Sequence, residues 1–145
     1  MTVRRRARFG RTIAACGIGA AGVFAATPAV AFSCSAPLHP MQRIELMFGR
    51  NIRGHTGVGE TAWSRFLARE ITPRFPDGLT VVDAAGQWRD RASGRLAREP
   101  SKLVIIVTAG DQPADEKIAA IVAAYKERFR QRSVGVAASP VCAAF

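Results

Sequence analysis

The sequence predicts a single α+β domain, four strands and two helices in the order β-α-β-β-α-β. Three observations carry this. Apolar residues recur at helical spacing over 60–72 and 111–130, the i, i+3, i+4 repeat of a one-sided helix. They alternate, or run unbroken, over 43–48, 79–83, 102–108 and 133–137, as strands do. Glycine, proline and polar residues gather between these segments and supply the turns.

The first strand, 43–48, places Ile44, Leu46 and Phe48 on one face and Arg43, Glu45 and Met47 on the other. A glycine-rich loop, 49–59, leads to the first helix, whose Trp63, Phe66, Leu67 and Ile71 share one stripe. Pro73 and Pro76 end that helix, and Pro76-Asp77-Gly78 turns the chain into the second strand, 79–83. The polar stretch 84–100 reads as an extended hairpin, with 87–89 and 95–97 as arms around Ala92-Ser93-Gly94. Leu103-Val104-Ile105-Ile106-Val107 is the most apolar strand. Asp111 is the expected N-cap of the second helix, with Pro113, Asp115 and Glu116 in its first turn. Ile118, Ile121, Val122, Tyr125 and Phe129 form its stripe, and a short strand at 133–137 follows.

Residues 1–31 read as a secretory signal. Arg4, Arg5, Arg6, Arg8 and Arg11 precede a Gly/Ala-rich apolar stretch over 12–27, and Ala29-Val30-Ala31 offers a small-residue cleavage site. The expected partition is signal 1–31, lead-in 32–42, folded domain 43–138 and tail 139–145. Cleavage leaves 114 of the 145 residues, enough for one core. Five of the ten excess positive charges leave with the signal, so the remainder carries +5. That mild bias suits a small anionic ligand or a negatively charged envelope, and excludes the concentrated basic footprint of a nucleic-acid binder. Two other fates of the N-terminus compete. A retained membrane anchor is disfavoured by Gly17, Gly19, Gly22 and Pro28. Lipoprotein processing before Cys34 is poorly served by Ala31-Phe32-Ser33. Cleaved, the chain is expected in the periplasm or outside the cell, with no membrane span. Cys34 and Cys142 remain, and two cysteines in an exported domain read as a disulfide.

In this element order two right-handed crossovers place both helices on one face of an antiparallel sheet of spatial order 4-1-3-2, the ferredoxin-like arrangement. The last strand then runs beside the first, which draws Cys34 towards Cys142. The third strand is central and apolar on both faces, so the face away from the helices needs a cover. That cover is either a second copy, giving a homodimer, or the 84–100 excursion folded back so that Trp88 and Leu96 shield the sheet.

Several motifs carry a resemblance. Leu46-Met-Phe-Gly-Arg50, Trp63-x-x-Phe66 and Thr72-Pro-Arg-Phe-Pro-Asp-Gly-Leu-Thr80 are followed by Gly86-Gln-Trp-Arg89, Arg98-Glu-Pro-Ser-Lys102, Ala124-Tyr-Lys-Glu-Arg-Phe129 and Gln131-x-Ser-Val134. Over 43–134 the chain resembles a bacterial family known as domain of unknown function 3574, whose members are small exported proteins or lipoproteins. The resemblance implies boundaries and export, and no activity.

Candidate ligand-binding residues are Arg50, Trp88, Arg89, Glu99 and Lys102. Arg50 lies near the start of the first helix, and the others bracket the 84–100 excursion, where an aromatic ring beside arginines and a carboxylate suits an anionic or planar ligand. The competing reading is a stacked hairpin with surface ion pairs. Gly57-Val-Gly-Glu-Thr-Ala62 matches a phosphate-binding pattern, yet its loop is too long for a tight turn and Glu60 brings negative charge to the phosphate's place. His39 and His55 lack metal-ligand spacing, so no metal and no cofactor are expected. Ser64, Ser93 and Ser101 have no nucleophile-elbow setting. The third strand lacks the aromatic residues an RNA-binding sheet uses. The leading expectation is an exported binding or assembly module. The alternative is a small-molecule enzyme of the dimeric α+β-barrel type, with Arg50, Trp88, Arg89 and Glu99 as its first residues to test. A closed apolar cavity holding a perturbed titratable group separates the two.

Overall fold

A computed structural model describes residues 32–145, apart from 53–54, 91–92 and 110–113. The expected signal peptide, Ala92 of the expected hairpin turn and the expected N-cap Asp111 with Pro113 lie outside the described residues. Strand β1 (His39–Gly49) is followed by a two-stranded ribbon, β2 (Asn51–Ile52) and β3 (His55–Thr56), then by helix α1 (Glu60–Phe66). After a π-helical turn (Leu67–Ile71) come β4 (Thr80–Arg89), β5 (Leu96–Thr108), α2 (Ala114–Phe129) and β6 (Gly135–Ala143). The main sheet has the order β4-β5-β1-β6, and every neighbouring pair is antiparallel. This is the ferredoxin-like arrangement.

The strands are longer than their apolar patterns. β1 begins at His39 rather than at residue 43, and β6 runs to Ala143 rather than to 137. Both ends contain proline, which reads as a break because it lacks an N–H for the ladder. The register shows why each proline is accommodated. Pro40 pairs with Cys142 of β6 alone, Pro100 pairs with Ala85 of β4 just beyond the last β1 partner of β5, Ser101, and Pro140 lies in the edge strand β6. Pro40 and Pro140 have a neighbour on one side only, where a missing donor is tolerated, and beside Pro100 the Arg50 carbonyl takes its hydrogen bonds from Gly57 and Val58 instead.

The 84–100 excursion forms the predicted hairpin, but it does not fold back over the sheet. β4 and β5 stay paired from Thr80–Ile105 out to Arg89–Leu96 and extend the sheet in its own plane. Gly94 closes the turn at φ +69°, where glycine avoids the Cβ clash. Trp88 and Leu96 remain 44% and 54% exposed, so neither covers the sheet.

One sheet face carries the core. Ile44, Leu46 and Phe48 of β1 and Val104 and Ile106 of β5 are buried against Trp63, Phe66, Ile71, Ile118, Ile121, Tyr125 and Phe129. The first helix departs from a continuous α-helix at Leu67, where the Thr72 N–H donates to the Leu67 carbonyl at 2.9 Å. A continued α-helix sets residues five apart about 140° away from one another. The wider π turn keeps Ile71 on the buried side of the segment, and both Phe66 and Ile71 are buried. α2 buries the predicted stripe, with Val122 at its margin.

Val104 and Ile106 both face the helices, so Leu103, Ile105 and Val107 form the aliphatic trio on the open face. Beside them lie Met41, Arg43, Glu45 and Met47 of β1, Val82 of β4 and Ala137, Ser139 and Val141 of β6. At the ends of β1 and β6, Cys34 and Cys142 are joined by a disulfide with Cα atoms 5.6 Å apart. Among the described residues no helix is long and apolar enough to cross a membrane.

Candidate functional site

Four of the five candidate residues gather around the end of β1, at Gly49 and Arg50, but on opposite faces of the sheet, and Arg89 lies apart at the end of β4. β1 stops there because the chain turns. The Arg50 N–H donates to the Pro100 carbonyl, and the Arg50 carbonyl accepts from the N–H groups of Gly57 and Val58, all at 3.0 Å. That last contact pins the loop back onto the strand. Gly57 is required at the crossing, because a Cβ there would lie 2.5 Å from the Ile52 side chain.

On the helix face, Arg50 and Lys102 form the inner half of a charge network. Their side chains are 9% and 6% exposed. Arg50 Nε donates to the Val58 carbonyl at 2.7 Å and Nη1 to Glu60 Oε1 at 2.5 Å. Lys102 Nζ donates to Glu60 Oε2 at 3.0 Å and pairs with Asp83 at 2.5 Å. Strand pairing places Asp83 directly across from Lys102, and the start of α1 supplies Glu60. The carboxylates lie outside, with side chains 64% and 80% exposed. The anion that a small ligand would bring to these two cations is already supplied by the chain.

The electrostatics hold Glu60 and Lys102 in their charged forms. Hydrogen bonds from Lys102 and then Arg50 keep the Glu60 carboxyl below the usual carboxylate range. The hydrogen bond to Asp83 raises the Lys102 ammonium, against the opposing effect of burial. Beneath the network the Tyr125 hydroxyl donates to the Gly49 carbonyl at 2.8 Å, and burial pushes its phenol well above the ordinary tyrosine value. Glu60 is thus shifted down and Lys102 and Tyr125 are shifted up, each away from pH 7.

On the open face, the Glu99 carboxylate lies over Gly49. Oε1 accepts from Trp88 Nε1 at 2.9 Å and Oε2 from the Asn51 N–H at 3.1 Å. A Cβ on Gly49 would lie 2.6 Å from the carboxylate, so glycine makes room for it. Arg89 is exposed at the end of β4. The five residues named from sequence therefore divide: Arg50 and Lys102 on one face, Trp88 and Glu99 on the other, Arg89 at the hairpin. Sequence reasoning missed Asp83 and Gly49 and gave Glu60 only a repulsive role. The cross-strand register of opposite charges was the available signal for Asp83.

The space between sheet and helices is filled. Phe48, Trp63, Phe66, Tyr125 and Phe129 interlock with ring centroids 4.7–6.3 Å apart. Two grooves of about 300 and 240 Å³ open at the margins of this layer, one lined by Phe66, Glu70, Ala124, Glu127 and Arg128, the other between Arg74–Gly78, the end of β5 from Ile106 to Thr108, and Lys117 of α2. Neither contains a candidate residue. Among the described residues no cluster of histidine, cysteine and carboxylate side chains could hold a metal ion.

A family described as protein of unknown function, DUF3574, matches residues 43–145. The chain belongs to the DUF3574 family. No curated protein sequence matches it. Among solved structures, the DUF3574 chain is similar to a phage SAM lyase in complex with S-methyl-5'-thioadenosine, at TM-score 0.56 and 19% identity, covering 71% of this chain and 90% of that one. The apo form of a phage SAM lyase gives 0.51 and 18%, covering 72% and 90%. CutA from Synechococcus elongatus gives 0.46 and 9%, covering 71% and 78%. At these identities the likeness is one of fold.

Proposed function

We propose that this protein is an exported binding or assembly module that works by association through the open face of its sheet, as a homodimer. The observation that carries the reading is the composition of that face. Within the strands it bears only three charged side chains among the described residues, Arg43, Glu45 and Glu99, in a field of Met41, Met47, Val82, Leu103, Ile105, Val107 and Val141. Met47 and Val82 are 43% and 40% exposed. A contiguous apolar surface of this kind marks an association site, and enrichment in methionine with depletion of charge is the composition of an interface core. Four strands about 4.8 Å apart and about seven residues long span on the order of 450 Å² in plan. Two copies then bury about 900 Å² in total, the size of a weak or transient association rather than of a standard interface.

The filled core and the titratable groups held away from neutrality favour binding over catalysis. Export is supported by the Arg-rich N-terminal segment and by the disulfide, which suits an oxidising compartment. Sedimentation velocity of the secreted domain at micromolar concentration tests the association. The expected result is a dimer that Ile105→Glu converts to a folded monomer. A strictly monomeric wild type overturns the reading. Val104 and Ile106 are unsuitable for this test, because both lie in the core.

A further inference from the structure

Resting on that homodimer, we infer that its two-fold axis runs across the strands, so that Arg43 of each copy faces Glu45 of the other. Arg43 and Glu45 are two residues apart on one face of β1, and their side chains pair at 2.8 Å while 40% and 33% exposed. Their neighbours on that face are uncharged. Val107 and Ser139 flank Arg43, and Ile105 and Ala137 flank Glu45. The third charge on the face, Glu99, is occupied by Trp88 and the Asn51 N–H beside Gly49. The middle of the face therefore carries one positive and one negative charge in line along β1.

Two sheets packed face to face with aligned strands admit two choices of axis in the plane between them. An axis along the strands sets Arg43 over Arg43 and Glu45 over Glu45 when it lies over β1, and like charges in a desolvated interface are strongly disfavoured. Moved to the seam between β1 and β5 it sets Arg43 against Val107 and Glu45 against Ile105 of the other copy, which leaves both charges without a partner across the interface. An axis across the strands, at the level of Ile44, sets each charge over its opposite. Every strand then lies antiparallel on its own copy. Met47 meets Met41, Ile105 meets Val107, and Ala137 meets Ser139, since Ile44 shares its level with Ile106 and Ala138. Apolar side chains surround four charges of alternating sign. Such a cluster contributes register more than affinity, because desolvation offsets the attraction unless every charge is paired.

The test uses charge reversal on the full secreted domain, read by native mass spectrometry and sedimentation. Arg43→Glu alone places only acids at the centre, and Glu45→Arg alone only bases. Each is expected to self-associate at least about tenfold more weakly than wild type. An equimolar mixture of the two is expected to form the mixed dimer at close to wild-type affinity, and Arg43→Glu/Glu45→Arg to recover its own dimer. Circular dichroism checks that each variant folds. Single variants that dimerise like wild type, or a folded pair whose mixture does not form the mixed dimer, overturn the axis while leaving the dimer standing. A monomeric wild type instead overturns the dimer itself.

Discussion

Lys102 and Glu99 show how single residues set the character of this surface. Lys102 is buried while its two carboxylates are exposed, so the members of the network are not equivalent. Lys102→Met leaves Glu60 and Asp83 in water and is expected to change stability by no more than about 1 kcal/mol. Glu60→Gln with Asp83→Asn strands a buried ammonium and is expected to lower the melting temperature further. The pH dependence follows from the shifts. Glu60 is depressed in the fold, so its contribution is present above the unfolded value near 4.5 and is lost as pH falls through the lower folded value. Lys102 is raised, so its contribution is complete below 10.5 and is lost as pH rises through the higher folded value. Urea midpoints should be level across neutral pH and decline on both flanks. On the opposite face, Gly49→Ala drives its Cβ into the Glu99 carboxylate and releases Trp88 and the Asn51 N–H. The carboxylate is the movable end of a flexible side chain, so the expected cost is no more than about 1 kcal/mol. Adding Glu99→Ala to that variant should cost little more, which a double-mutant cycle in denaturant reads directly.

At the scale of elements, α2 is docked on β1 by one ring system and one hydrogen bond. Tyr125 is fully buried, touches Phe48, Phe66 and Phe129, and donates to the Gly49 carbonyl. Tyr125→Phe keeps the packing and orphans that carbonyl, with an expected loss of about 1–2 kcal/mol. The same change should flatten part of the alkaline decline. The buried phenol resists ionisation in the fold, so its contribution is lost only as pH rises above the ordinary tyrosine value. The π turn completes the layer by keeping Ile71 on the buried side of its segment.

At the scale of the whole molecule, the disulfide ties the first described turn to the last strand, closing a loop of 108 residues. On a chain-entropy basis such a loop contributes about 4–5 kcal/mol as an upper figure. Paired β1 and β6 already hold the two ends together in the fold, and Cys34→Ser/Cys142→Ser is expected to remain folded with a lower melting temperature. Wild type and the variant should converge when both are measured under reductant. Processing belongs to this scale as well. N-terminal sequencing of the exported protein is expected to begin at Phe32.

Much of this was legible in the sequence. Periodicity carried both helices and the inward faces of β1 and β5, because apolar burial repeats with the period of the element that performs it. Element order then set the sheet order, since right-handed crossovers leave few alternatives, and that order placed the two cysteines together. Tertiary structure alone decided three things. Pro40, Pro100 and Pro140 lie inside strands, the first and last because each has a neighbour on one side only and Pro100 because the carbonyl beside it is satisfied by the 57–58 loop, properties of sheet position that local sequence does not contain. The 84–100 hairpin stays in the plane of the sheet, which leaves Leu103, Ile105 and Met47 open instead of covered by Trp88. Finally, Arg50 and Lys102 were separated from Trp88 and Glu99. Adjacent positions of one strand point to opposite faces, so residues that look convergent along the chain can end on either side of a sheet one residue thick.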